Sequence, residues 1–271
     1  MTCYFCGKPA VSREHVPPKC FFPEDGRQGL ITVPSCDAHN SEKSGEDEYF
    51  RGVFLSSALL DGNSEVVTQR CSHQRALERA LSRGFKRIGS REDAEAIEEV
   101  VARHGQGLLG PGNAVRELEE RRLLRTGLYG LMHRDVEEAQ VMDGSGKLVP
   151  TTSFSFSLER LNNFLSCIAR ALLFHETGAV WTGGVAHLPH AFLPEDAPVH
   201  DVNLRNYFVN ALAEERVKGV SPGIFHYALL PGLEDNGKKD FDCTIGYCFF
   251  NSFHFTTLFS SKTRFEPQAR S

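Results

Sequence analysis

The chain has 271 residues, and a hydrophobic content of 41% is enough to build a sizeable core in one large domain or in a small module joined to a larger one. No apolar run approaches the roughly 20 residues needed to cross a bilayer, and the N-terminus MTCYFCGK has no basic region followed by an apolar stretch; a cytoplasmic protein is expected. The net charge of −5 excludes binding of nucleic acid through a broad basic surface alone, but not a nuclease in which a divalent ion and a local basic patch offset phosphate repulsion.

Residues 1 to about 60 read as a metal module. Cys3 and Cys6 form a C-x-x-C knuckle, and Cys36 and His39 form a second pair, with the ligand types and spacing of a closed tetrahedral zinc site. Glu14 and His15 lie between the pairs, and Asn40 follows the second directly. LITVPSC reads as a short strand running into the second pair. SEKSGEDEYFRGVFLSSALL reads as a helix beginning just after Asn40, weakened by Gly45 and Gly52. On that helix Asn40, Lys43 or Ser44, and Asp47 share a face, so Asp47 is able to point back towards the site of Asn40.

The remaining chain, 61–271, reads as an α+β domain with helices over about 68–218 and strands over about 223–261. Its first stretch, Arg70 to Arg91, is strongly basic. Arg75, Arg79, Lys86 and Arg87 are the expected DNA contacts there, with a plain solvated helix face as the alternative. GQGLLGPGN is a loop, AVRELEERRLLRTGLYGLMHR restores a helical pattern, and DGSGK makes a turn. SLERLNNFLSCIARALLFHETG carries Leu158, Leu161, Leu165, Ile168 and Leu172 at helical spacing, and Gly178 supplies its stop. His175 and Glu176, at its end, fit a capping role, because a helix C-terminus favours histidine. DVNLRNYFVNALAEERVKG reads as a shorter helix after a proline-rich loop that holds His187, His190 and His200. GIFHYALL, FDCTIGYCFF and FHFTTLFSS then form an antiparallel meander, with EDNGKK as a turn and His226 and His254 in strand patterns. Cys20, Cys71, Cys167, Cys243 and Cys248 read as small buried apolar residues.

The front module offers a metal-fixed loop, a Glu-His pair, an amide and a helix bearing acids. Glu14 suits a hard cation such as Mg²⁺. His15, neutral near pH 7, suits taking a proton from water. Asn40 would either hold the histidine ring or complete the cation's shell. Such a set suits hydrolysis of a nucleic-acid backbone.

C-x-x-C, then EHVPPK, then VPSC-x-x-HN, then an acidic helix start resembles an HNH endonuclease with a ββα-metal core. The resemblance covers about the first fifty residues. It implies structural zinc on Cys3, Cys6, Cys36 and His39, and a catalytic Mg²⁺ or Mn²⁺ on Glu14. It also implies His15 as general base and Asn40 as the middle residue of the motif. The chain departs from the family where a last histidine would follow Asn40; Asp47 takes its place as the implied third ligand, with Glu48 as rival. It departs again at His39, where cysteine is commoner. The implied activity is metal-dependent hydrolysis of DNA phosphodiester bonds, in phage defence or phage biology, by a homodimer or with a regulatory partner. The alternative is a catalytically inactive zinc-ribbon module that recognises nucleic acid or protein; the net acidity and the missing histidine favour it.

Overall fold

In this computed structural model the first fifty residues are organised around a hairpin. β1 (Ser12–Val16) and β2 (Ile31–Ser35) pair antiparallel, with Glu14 opposite Val33 and His15 opposite Thr32. Neighbouring residues of a strand face opposite sides, so β1 buries Glu14 and Val16, exposes Arg13 and leaves His15 half-buried. α1 (Ser44–Leu55) follows, with Glu46 and Asp47 at its positive end. It starts later than the sequence suggests, because the preceding segment folds into tight turns. There the Asn40 and Glu42 N–H groups both donate to the Asp37 carbonyl at 3.1 Å.

The described residues are 1–55, 57, 60, 66, 69, 90–104, 117, 118, 120, 121, 134–142, 148–193, 196–214, 217–221, 223–230, 234, 235, 238, 239 and 241–261. Arg75, Arg79, Lys86, Arg87, Cys71 and the DGSGK turn lie outside them. The chain divides into two compact units, Glu48–Arg160 and the combination of Met1–Asp47 with Leu161–Ser271.

Within Glu48–Arg160, α2 (Arg91–His104) buries Ile97 and Val100, and the Arg160 guanidinium lies 3.8 Å over the Tyr49 ring. This unit also holds an antiparallel hairpin of β3 (Arg134–Met142) and β4 (Leu148–Ser155). The expectation of helices over about 68–218 does not include this hairpin. Its second strand, LVPTTSFS, is rich in residues that favour extended backbone.

The other unit takes in α3 (Leu158–Thr177) from Leu161 on; this helix buries Leu161, Phe164, Leu165, Ile168, Ala169, Ala171, Leu172 and Leu173, while Leu158, at its start, is exposed. Gly178, at φ +71°, ends it as expected, its N–H donating to the Phe174 carbonyl at 2.7 Å. β5 (Gly184–Leu188), α4 (Val199–Glu214), β6 (Lys218–Ser221), β7 (Phe225–Leu230), β8 (Glu234–Asp235), β9 (Lys238–Lys239), β10 (Cys243–Phe249) and β11 (Phe253–Ser260) complete it. The meander is present, and β5 and β6 extend it into a five-stranded antiparallel sheet of order β5-β11-β10-β7-β6. His187, read as a loop residue, lies in β5.

One face of the sheet meets α4, where Phe208 and Leu212 pack on Ala228, Leu230, Cys248 and Leu258. A Cβ on Gly246 would come within 2.9 Å of the Leu230 side chain, so a larger residue there would have to push that side chain aside. On the opposite face Phe249 meets Phe164 and Phe21, and Phe21 is 6.0 Å from Phe164 between ring centroids. Phe21, from the segment after β1, thus ties the front of the chain to both α3 and the sheet. Among the described residues no helix is long and apolar enough to cross a membrane.

Candidate metal centre and active site

The Cys3–Cys6 knuckle is a tight turn ahead of β1. The Cys3 N–H donates to the Lys8 carbonyl at 2.7 Å, the Gly7 N–H donates to the Cys3 carbonyl at 3.0 Å, and Gly7 takes φ +71°. The second pair starts where β2 ends. Because the Tyr4 N–H donates to the Pro34 carbonyl at 2.9 Å, the knuckle is pinned beside that end of the hairpin.

The ligand atoms of Cys3, Cys6, Cys36 and His39 consequently all lie within 4.8 Å of one another. Cys6 Sγ is 3.8 Å from Cys36 Sγ, and His39 Nδ1 is 3.8 Å from Cys3 Sγ and 3.2 Å from Cys36 Sγ. A tetrahedron with Zn–S bonds of about 2.3 Å has S–S edges of about 3.8 Å. The donor set and its spacing therefore fit a metal ion such as zinc.

The surroundings act differently on the individual ligands. Burial works against the Cys3 thiolate, but backbone N–H groups of Cys6, Cys36 and Phe5 outweigh it and hold its pKa below the ordinary value. Burial instead raises the Cys36 pKa. Burial, with Lys8, Lys43 and Arg170 nearby, lowers the His39 pKa and favours the neutral ring that a metal needs. The Phe5 ring stacks on His39 at 4.2 Å, and Arg170 lies 5.0 Å over Phe5. Arg170 in turn donates to the carbonyls of Trp181 and Gly183.

A second cluster forms beneath β1. The Lys43 ammonium is 2.7 Å from Glu14 Oε1, and 2.8 and 2.7 Å from the two Asp47 oxygens. The three side chains are only 6% (Glu14), 11% (Lys43) and 11% (Asp47) exposed. Burial raises the Glu14 pKa and Lys43 pulls it back down in part. Burial disfavours the Lys43 charge, but Asp47 and Glu14 outweigh it and raise its pKa.

Beside this cluster sit Tyr4 and Cys167. Burial pushes the Cys167 thiol up to about 11. The Tyr4 hydroxyl is buried, and burial first, then Cys167 and Glu14, raise its pKa well above the ordinary value. Two converging carboxylates suit a hard cation, which prefers oxygen ligands. The donors therefore fit such an ion, although Lys43 stands between them.

His15 lies on the other side of β1. Burial lowers its pKa first, and Lys19 and Arg13 lower it further, so the ring is neutral at neutral pH. Arg13 is held there by the Thr32 hydroxyl, which accepts from its Nε at 3.0 Å and from its Nη2 at 2.7 Å.

Asn40 does not bond His15. Its Nδ2 donates to Ser12 Oγ at 2.8 Å and to the Arg13 carbonyl at 3.2 Å, so it fastens the second pair to β1. Glu48 pairs with Arg51 at 3.2 Å, and its side chain is 44% exposed. The residue with the largest part that was not picked out from the sequence is Lys43, whose only local signal is its i,i+4 spacing to Asp47.

Of the second Glu-His pair, Glu176 has contacts within the fold. Glu176 accepts from the Tyr227 hydroxyl at 2.7 Å and pairs with Lys218. His187 bonds Ser166 Oγ at 2.8 Å and Thr257 Oγ1 at 2.9 Å, and His190 bonds Thr256 Oγ1 at 2.9 Å. No family model, curated protein or solved structure matches this chain.

Proposed function

We propose that the chain is a metal-dependent endonuclease of the HNH type acting on DNA phosphodiester bonds. The observation that carries this reading is the convergence of Glu14 and Asp47 on one cation position beside the strand that bears His15. The hairpin-then-helix order around a Cys3/Cys6/Cys36/His39 cluster supports it as well.

Glu14 and Asp47 would hold a divalent ion, which stabilises the charge that builds on a phosphodiester oxygen and on the leaving oxygen. His15, kept neutral by burial and by Lys19 and Arg13, takes the proton from the attacking water. Arg13 and the exposed Lys19 offer positive charge to the phosphate, which compensates locally for the chain's net charge of −5. Neighbouring residues of a strand face opposite ways, so Glu14 and His15 reach one phosphodiester only from the strand's edge. β1 pairs with β2 alone in a two-stranded sheet, and its other edge is where the substrate would lie. Asn40 keeps β1 in place through Ser12 and the Arg13 carbonyl.

One observation favours a second reading, a zinc-ribbon module that binds nucleic acid or protein without cutting it. Lys43 already neutralises much of the charge on Glu14 and Asp47. Incubation of zinc-loaded protein with plasmid and Mg²⁺ or Mn²⁺, with and without EDTA, separates the two. Metal-dependent nicking or linearisation supports the enzyme, and binding without cleavage supports the module.

A further inference from the structure

We infer that Lys43 is a built-in substitute for the divalent ion, and that metal binding at Glu14 and Asp47 is an exchange in which its ammonium leaves. The inference rests on the nuclease reading only in taking Glu14 and Asp47 as the ligands. Its basis is geometric. One ammonium touches Glu14 at 2.7 Å and both oxygens of Asp47 at 2.8 and 2.7 Å, in a site where all three side chains are nearly buried.

Two buried carboxylates facing each other with no cation between them would repel each other and lose their hydration. Lys43 prevents that, and so keeps the pair assembled without metal. Its own position makes it displaceable. It stands in the turn just before α1, at the helix's positive end, where a cation is disfavoured; the two carboxylates are what hold it there.

A divalent ion approaches carboxylate oxygens to about 2.1 Å and carries twice the charge. With it in place the Glu14–Asp47 pair is neutral without Lys43. The four-carbon stem then lets the ammonium swing out without moving the helix backbone. Freed, it becomes a further positive group at the site, available to a phosphate. The exchange makes the ion's hold on the site weaker than two carboxylates alone would give.

The test is a titration of Mn²⁺ into the zinc-loaded full-length chain, read by loss of the free-ion electron paramagnetic resonance signal. K43M should bind Mn²⁺ more tightly than wild type, on the order of tenfold or more, and adding E14Q to K43M should remove the gain. A K43M protein that binds Mn²⁺ no tighter than wild type overturns the inference. A second readout needs no variant: acetylation of Lys43 in wild type, followed by mass spectrometry, should be slow alone and faster with Mn²⁺. Should K43M fail to fold, unchanged acetylation overturns the inference and acceleration supports it. Wild type that binds Mn²⁺ with Lys43 still protected overturns the exchange and leaves the nuclease reading standing. Exchange without any DNA cleavage does the reverse. Failure of wild type and of folded K43M to bind Mn²⁺ overturns both.

Discussion

Asn40 and Ser12 are joined by a 2.8 Å hydrogen bond from the Asn40 amide to the Ser12 hydroxyl. Through it the loop that carries Cys36 and His39 holds the strand that carries Glu14 and His15. The same amide also donates to the Arg13 carbonyl at 3.2 Å, so two bonds set the position of β1 relative to the cluster. Asn40→Ala should lower stability by about 1–2 kcal/mol, in line with two lost hydrogen bonds, while zinc content stays at one per chain. Any cleavage activity should fall without a change in zinc. Denaturant unfolding together with metal analysis checks both, and an unaltered midpoint would show that the bonds do not constrain the strand.

Cys36→Ser removes one of four donors from the cluster. Without the metal cross-link, the Tyr4 N–H to Pro34 carbonyl bond is left to join the knuckle to the end of β2. The variant should lose bound zinc and melt at a lower temperature than wild type, as should wild type stripped by a strong chelator. A wild-type melting profile for Cys36→Ser would contradict a structural role for the cluster.

Phe21 is fully buried and lies against Phe164, Phe249 and Phe250. Truncating it leaves a cavity where the front segment, α3 and the sheet meet. Phe21→Ala should cost about 3–5 kcal/mol, read as a lower urea midpoint. A loss under about 1 kcal/mol would mean that this contact is not part of the core.

Stability should also depend on pH through the sheet. Burial drives His187 down to about 4, with Arg170 adding to the effect, and burial likewise drives His190 to about 4, with His254 and Arg205 contributing. Both pKa values lie below the ordinary 6.5, so between 6.5 and about 4 the unfolded chain binds more protons than the folded one. The stability associated with neutral rings is therefore complete above 6.5 and is lost as pH falls towards 4. His187→Gln should flatten the fall in melting temperature across that window. A fall as steep as in wild type would assign the pH dependence to other groups.

The ligand pairs were legible because C-x-x-C and C-x-x-H are local patterns whose spacing alone nearly fixes the donor geometry. The long helix was legible for a similar reason, since its periodicity and the stop at Gly178 are both local. The hairpin of β3 and β4 was not. Its first strand, RDVEEAQVM, holds acids, Ala and Gln that also suit a helix, and pairing with a later segment decides between the two. The place of Phe21 was equally hidden, because an isolated aromatic in a loop has no periodicity to reveal what it packs against. Lys43 shows the limit most clearly. Its spacing to Asp47 was readable, but that its ammonium also meets Glu14 depends on how the hairpin brings β1 beside the start of α1.

The most direct test of the central claim is plasmid cleavage by zinc-loaded wild type and His15→Ala in Mn²⁺, with zinc content and melting temperature measured on the same samples. Wild type should nick or linearise the plasmid in a metal-dependent way. His15→Ala should lose about a hundredfold or more of that activity, with zinc and fold unchanged. Equal cleavage by the two proteins would contradict it.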